Sequence, residues 1–129
     1  MTLTRLAGLA LAAALALGPV AAAGQATTIE GVVAAARADV GKDIGGGVTL
    51  IGVEADDTRL RFGFRYVATV AQIEAIGRQA FEDGFVGGLV ASVCSNPPVP
   101  PFVAGGGAIE VTMIDPDGAT LIARRVTSC

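Results

Sequence analysis

The sequence of 129 residues predicts an α+β fold in the order α-β-β-α-β-β. Two observations support this prediction. Apolar residues recur at helical spacing in two segments, and each segment is followed by two strand-like stretches that a turn sequence separates. An amphipathic helix and a half-polar sheet each have one apolar face to bury. We therefore expect a four-stranded, mostly antiparallel sheet with both helices packed on one of its faces.

The N-terminal segment 1–26 is typical of a bacterial signal peptide. A single arginine precedes an apolar run over residues 6–17, a Gly-Pro pair ends the run, and small residues follow. A membrane anchor needs about 20 continuous apolar residues, so this run is too short to be one. We expect cleavage after Ala23 or Ala26, no stable membrane anchor, and a periplasmic or secreted location. The remainder, residues 27–129, is long enough for a single domain.

The chain has two cysteines, Cys94 and Cys129. In an exported domain of this size, an even pair of cysteines predicts a disulfide bond. The alternatives are two free buried thiols or a redox pair, but the C-x-x-C spacing of redox motifs is absent. A disulfide would join the end of the second helix to the last strand.

The first predicted element is a helix from Thr27 to Ile44. Thr27 and Glu30 fit a capping box, in which each side chain accepts a bond from a backbone N–H group at the start of the helix. The glycines at 45–47 end the helix, because glycine adopts left-handed backbone conformations readily. The apolar stripe consists of Ile29, Val32, Val33, Ala36, Val40 and Ile44.

A β-hairpin follows, with strands at Val48–Glu54 and Thr58–Val67. Pairing Glu54 with Arg59 gives each face of the hairpin a consistent character. The apolar face then carries Thr49, Ile51, Val53, Leu60, Phe62, Phe64 and Tyr66. The opposite face carries Leu50, Gly52, Glu54, Arg59, Arg61, Gly63 and Arg65.

The second helix is predicted to begin near Thr69 and to end before Asn96. Glycines at 84, 87 and 88 weaken its later half, so a kink or two shorter helices are open alternatives there. The proline-rich segment 97–101 is interpreted as a stiff connector rather than a polyproline ligand. A second hairpin then pairs residues 109–114 with residues 119–128, around the turn sequence Asp-Pro-Asp-Gly.

The residues with catalytic potential do not form a recognisable catalytic motif. Histidine, the commonest general base and metal ligand, is absent, and the paired carboxylates Asp56-Asp57 and Glu82-Asp83 are interpreted as solvated. We therefore expect no enzymatic activity, no cofactor and no metal site. The 9 basic residues are outnumbered by 12 acidic ones, and this balance argues against nucleic-acid binding.

One cluster of charges remains as a candidate binding site. Arg59, Arg61 and Arg65 alternate along one strand and therefore lie on the sheet face opposite the helices. Guanidinium groups suit carboxylate-bearing or other anionic partners. The alternative interpretation is an ordinary solvated face, on which the arginine stems cover apolar neighbours.

The C-terminal half resembles small exported α/β proteins that have a disulfide between a helix and the C-terminal strand. The residues that carry this resemblance are Val93-Cys94-Ser95-Asn96-Pro97, the segment 105–118 and a strand ending in Cys129. This layout is similar to the β-containing pilotins of type II secretion, which implies binding of secretin subunits. The lipidated cysteine of that family is missing here. The α-β-β-α-β-β order also resembles BON domains, without their glycine-centred signature.

These observations predict a non-enzymatic, soluble periplasmic binding or assembly-accessory module, pilotin-like in its most specific form. It would act through a face or an edge of its sheet. One alternative is a structural homodimer joined through the open sheet face. Another is a small enzyme or enzyme inhibitor with an unrecognised site.

Overall fold

The computed structural model describes residues 26–129, so the proposed signal peptide lies almost wholly outside the described residues. The α+β class is confirmed. The sheet, however, is mixed and five-stranded, and the prediction of four strands in the order α-β-β-α-β-β is wrong in detail. The elements in chain order are α1 Ile29–Arg37, β1 Asp43–Gly45, β2 Val48–Ala55, β3 Arg59–Tyr66, α2 Val70–Ile76, α3 Arg78–Cys94, α4 Val99–Ala104, β4 Ala108–Ile114 and β5 Thr120–Val126.

The strands lie side by side in chain order, from β1 to β5. Neighbouring strands are antiparallel except for β3 and β4, which run parallel. A parallel pair requires a connection that carries the chain back to the end where the first strand began. Helices α2, α3 and α4 make this connection, and they join two antiparallel hairpins into one sheet.

The hydrophobic core lies between one face of the sheet and the helices. Phe64 of β3 contacts Phe85 of α3 edge to face, with ring centroids 4.9 Å apart. All the helices contribute buried residues to this single cluster, so the helices pack on one face as predicted. The strand residues of this cluster are Val48, Leu50, Val53, Leu60, Phe62, Phe64, Ile109, Val111, Met113, Leu121 and Ile122, together with Ile44 of β1.

The first helix is shorter than predicted. It begins after Thr28, whose hydroxyl accepts a bond from the Gly31 N–H at 3.0 Å, so the proposed cap at Thr27 is wrong by one residue. It ends at Arg37, and Ile44 is buried from strand β1 instead. The Gly41 N–H donates to the Leu50 carbonyl and the Leu50 N–H donates to the Lys42 carbonyl, and these two bonds draw the segment onto the sheet edge. Tertiary pairing therefore overrides the helical spacing of the apolar residues.

The first hairpin is present, but the predicted register is wrong by two residues. Glu54 pairs with Arg61 rather than with Arg59. A β-bulge at Ile51 shifts the pairing between Leu50 and Gly52, and this extra residue exchanges the two faces of β2 from that point. Leu50 is consequently 1% exposed in the core, whereas Ile51 is 39% exposed on the opposite face.

The second helical segment is divided at Gly77, seven residues before Gly84, the first of the three glycines expected to weaken it. Gly77 has a φ of 110°, a left-handed conformation that glycine adopts without strain, and it ends α2 and precedes α3. Helix α3 runs without a break through the glycines at 84, 87 and 88. The predicted start near Thr69 is confirmed, and Thr69 and Gln72 form a complete capping box there.

The proline-rich segment, interpreted as a stiff connector, leads into and begins the short helix α4. Its prolines fall at the start of the helix, where the missing N–H group has no intrahelical partner to lose. Val99 and Val103, one turn apart, are buried in the core. Burial of this apolar pair gives a reason for the helical conformation.

Asp115 links the second hairpin to the start of α2. The predicted turn around it is confirmed, and its carboxylate accepts bonds from the N–H groups of Asp117 at 2.9 Å, Ala119 at 2.8 Å and Val70 at 3.1 Å. Burial, at 3% exposure, raises the pKa of Asp115, but these backbone donors outweigh it and hold the pKa below its ordinary value.

The Cys94–Cys129 disulfide is confirmed. It joins the last residue of α3 to the C-terminal residue, with a Cα–Cα distance of 6.0 Å and a sequence separation of 35. The end of α3 is thereby tied to the segment that follows β5.

Replacing both cysteines, as Cys94→Ser with Cys129→Ser, should lower the free energy of unfolding by about 3–4 kcal/mol, because an open chain of this separation has more conformational entropy when unfolded. Urea titration of the variant beside the oxidised wild type measures the difference. Reduced wild type is the control and should match the variant. An unchanged denaturation midpoint would contradict a stabilising disulfide.

Asp115→Asn should lower the melting temperature by several degrees at neutral pH. The new amide N–H₂ cannot accept the hydrogen bonds that the backbone N–H groups donate to the carboxylate. The folded pKa of Asp115 lies below its ordinary 3.8, so its stabilisation is present above that pH and is lost as the pH falls through the lower folded value. The difference between the two proteins should therefore shrink in acid.

Asp117→Asn, at an exposed position of the same turn, is the matched control and should melt like the wild type. Thermal unfolding followed by circular dichroism from pH 7 to pH 2.5 makes the comparison. Equal melting temperatures of Asp115→Asn and wild type at pH 7 would exclude this role.

Candidate interaction surface

The sheet face opposite the helices, here called the outer face, is not covered by any part of residues 26–129. Besides the buried Ala108 and the exposed Thr120, strand alternation and pairing place thirteen further residues on it, and all thirteen are exposed or half-buried. They are Thr49, Ile51, Gly52, Glu54, Arg59, Arg61, Gly63, Arg65, Glu110, Thr112, Ile114, Ala123 and Arg125. An uncovered face of this breadth is the main candidate surface for recognition.

Four charged residues form a continuous row across the outer face, here called the charge ladder. Strand pairing places Glu54, Arg61, Glu110 and Arg125 side by side on β2, β3, β4 and β5. The Arg61 guanidinium lies between two carboxylates, 3.6 Å from Glu54 and 3.4 Å from Glu110. Arg125 lies 3.2 Å from the other oxygen of Glu110. The ladder alternates in sign and has no net charge.

Beside the charge ladder runs a second row of small residues, here called the small row. It consists of Gly52, Gly63, Thr112 and Ala123, again one from each of β2 to β5. The glycines leave a shallow depression of about 290 Å³ between the two rows, and the exposed Ile51 lies at its border. The outer face therefore has an apolar-bordered depression next to ordered charges.

Neither glycine of the small row is required by the backbone. The conformations of Gly52 and Gly63 lie outside the left-handed region. A Cβ atom at Gly52 would meet nothing within 4 Å, and one at Gly63 would make ordinary van der Waals contacts, 3.6 Å from Ile51. Glycine within a strand lowers stability and often marks the close approach of another backbone or of a ligand.

The three arginines predicted as a binding site lie on the outer face, but in different environments. Arg59 binds Asp56 in the hairpin turn, with 3.1 Å between Nη2 and Oδ2. Arg61 belongs to the charge ladder. Arg65 is exposed and has no ion pair among residues 26–129. Two of the three positive charges are thus compensated within the chain.

Asp56 stays ionised far into the acid range. The Thr58 N–H and Arg59 outweigh desolvation and hold the pKa of Asp56 at about 2. This carboxylate therefore neutralises Arg59 across the physiological range. An anionic partner would have to displace it to bind that guanidinium.

Sequence patterns missed Glu110 and Arg125 as members of the surface. Both residues alternate with apolar neighbours along their strands, and this alternation places them on the polar face of the second hairpin. Nothing in the sequence, however, places that hairpin beside Arg61, because this contact requires the parallel pairing of β3 with β4.

Both edges of the sheet are protected against pairing with another strand. At the β5 edge, Arg124 points toward the helices and binds Glu82 at 2.7 Å and Asp83 at 2.9 Å. The interpretation of Glu82-Asp83 as a merely solvated pair is therefore wrong, and Arg124 holds the pKa of Asp83 below its ordinary value. Inward charges of this kind are typical of edge strands that avoid association.

The opposite edge is blocked differently. Strand β1 covers only the beginning of β2, and beyond it the Arg37 Nε donates to the carbonyl oxygen of Val53 at 3.1 Å. A backbone acceptor that an added strand would need is thus already occupied. The outer face, rather than an edge, is the surface open to a partner.

A second concavity, of about 510 Å³, lies between α1 and the β2–β3 turn. Its lining mixes carboxylates with apolar side chains, and Arg37 at its border is engaged with Val53. The lining residues are Ile29, Glu30, Val33, Arg37, Ala55, Asp56, Asp57 and Phe102. Within residues 26–129, no three histidine, cysteine or acidic side chains are grouped as metal ligands would be.

Searches of protein-family models, curated proteins and solved structures found no match for this chain. The resemblance to the pilotins therefore stays a prediction. Among the described residues, no helix is both long enough and apolar enough to cross a membrane.

Proposed function

We propose that this protein is an exported, non-enzymatic interaction module that acts through the outer face of its sheet. The observation that carries the proposal is the glycine pair at 52 and 63. Two facing glycines in adjacent strands each lower stability by roughly 0.5–1 kcal/mol relative to alanine. Neither is needed for the backbone conformation or for packing within the described residues. Close approach of a partner gives them a reason.

The charge ladder supports the same proposal. Exposed ion pairs contribute about 0–1 kcal/mol each, so the ladder adds little to the stability of the fold. Its ordered charges, next to the depression, instead provide specificity, because complementary charges fix the register of two surfaces and exclude wrong partners. The protected edges favour the face over strand addition as the mode of binding.

Location in the periplasm or outside the cell is part of the proposal. The Cys94–Cys129 disulfide is compatible with an oxidising compartment, and the N-terminal sequence has the features of a signal peptide. The most specific form of the proposed function is pilotin-like assistance in the assembly of an exported complex.

Gly52→Val tests the face directly. Valine suits a strand and has free space here, so the variant should fold with equal or greater stability, and the valine side chain should fill part of the depression. Association with any partner that uses the outer face should fall at least tenfold. Tagged wild type and variant, incubated with a periplasmic extract of the source organism and crosslinked, measure this.

Gly84→Ala is the matched control. Gly84 is an exposed glycine of α3 with nothing within 4 Å of its added Cβ, and its replacement should raise stability without changing association. Equal recovery of every crosslinked protein by the wild type and Gly52→Val, with both folded, would remove the outer face from the proposal.

The structure also favours one of the two predicted cleavage sites. Ala26 packs against the core, and its Cβ lies 3.3 Å from where a Cβ of Gly31 would be. Cleavage after Ala26 would remove this contact and would place a free α-ammonium group next to the α1 N-terminus, where a positive charge is unfavourable. Cleavage after Ala23 avoids both effects.

The exported protein should therefore begin at Gly24. Intact mass spectrometry of protein purified from the periplasm distinguishes the two products directly. As a control, Ala23→Leu should prevent or redirect this cleavage, because the processing site requires small residues. A mature chain that begins at Thr27 would contradict the expected site.

A further inference from the structure

We propose that the outer face binds a second copy of this chain, with the two sheets stacked about a two-fold axis that runs parallel to the strands between β3 and β4. The inference rests on the proposed function, because it names the partner of the same face. It is carried by the order of charges along the charge ladder.

The ladder reads negative, positive, negative, positive from β2 to β5. A two-fold axis parallel to the strands reverses the order of the strands but leaves the position along each strand unchanged. The ladder of one copy therefore lies over the reversed ladder of the other. Glu54 then lies opposite Arg125 of the second copy, and Arg61 lies opposite Glu110 of the second copy.

All four cross-copy contacts along the ladder are between opposite charges. A two-fold axis along the ladder itself would instead place each residue over its own copy, Glu54 over Glu54 and Arg61 over Arg61. Like charges in an interface are strongly unfavourable. The charges thus select one of the two in-plane axes.

The small row agrees with this arrangement. The same axis places Gly63 opposite Thr112 of the second copy and Gly52 opposite Ala123 of the second copy. Stacked sheets lie about 10 Å apart, and the arginine and glutamate side chains of facing ladders are long enough to meet across that space. The depression beside the ladder provides room for these side chains. The glycines therefore fit the face-to-face contact.

Arg65 creates no conflict in this geometry. It shares a row with Ile114 of β4, so the axis places Arg65 opposite Ile114 of the second copy. Its aliphatic stem covers the half-buried isoleucine, and its guanidinium reaches the solvent at the rim. No two arginines of the outer face are brought directly opposite one another along these rows.

Charge exchange between two variants tests the arrangement. Arg61→Glu changes the ladder so that two pairs of carboxylates face each other in the dimer, and Glu110→Arg does the same with two pairs of guanidinium groups. Each variant alone should self-associate about 100-fold more weakly than the wild type. In a one-to-one mixture, every facing pair between the two variants is again of opposite sign. The mixture should form a heterodimer.

Sedimentation velocity of the disulfide-bonded mature protein, over a hundredfold range of concentration, is the measurement. We expect the wild type and the mixture to be dimeric where each variant alone is monomeric. Circular dichroism establishes that each variant is folded, and Arg61→Gln provides a second, uncharged variant with weakened association. Lys42→Glu, a charge reversal at an exposed site away from the outer face, should dimerise like the wild type.

A wild type that stays monomeric at every concentration would overturn the inference. So would a dimeric wild type whose two variants fail to associate when mixed, because the copies would then meet through another surface. Failure of the proposed function is distinguished by the extract experiment. If the wild type is monomeric but Gly52→Val loses a crosslinked protein, the face binds a different partner. If the wild type is monomeric and Gly52→Val loses no crosslinked protein, both proposals fail.

Discussion

The parallel pairing of β3 with β4 is the interaction on which the rest of the structure depends. It joins two local hairpins into one sheet, and it requires the helical connection that covers the core face. This connection is attached to the second hairpin at the start of α2, at the start of α3 and at the end of α3. Val70 donates to Asp115, Arg78 donates to two carbonyl groups at the start of β5, and Cys94 is bonded to Cys129. Each attachment bridges more than thirty residues of sequence, so together they hold β4 beside β3.

Local features of this fold were predictable from the sequence, and its long-range features were not. The second hairpin and the helix start near Thr69 follow from turn residues and from the spacing of apolar residues, which are local signals. The disulfide follows from the presence of a single pair of cysteines. The bulge at Ile51 was missed because a smooth alternation fits the same residues about as well, and only the packing of Leu50 into the core decides between them. The spacing of Ile44 predicts a helix, although pairing of its segment with β2 makes Ile44 part of a strand.

The candidate surface likewise has features that local sequence predicts and features that depend on long-range contacts. Strand alternation alone predicts that Arg59, Arg61 and Arg65 share the face away from the helices. Whether their positive charges are compensated depends on neighbours that the sequence does not place, namely Glu110 across the parallel pairing and Asp56 within a turn. A cationic patch for anionic partners was one of two interpretations of the three arginines. With Arg59 and Arg61 compensated, the face provides an ordered alternation of charge rather than an excess of one sign.

An alternating row of charges has a property that depends on how many strands it crosses. On an even number of strands the reversed row is opposite in sign at every position, so the row is complementary to a second copy of itself. On an odd number the reversed row is identical, and two copies repel. Strand β1 would be a fifth member, but it pairs only with residues 48 and 49 of β2 and does not extend to Glu54. The shortness of β1 therefore keeps the ladder at four charges, and the parallel pairing places the centre of the ladder, Arg61 beside Glu110, at the position through which the two-fold axis would pass.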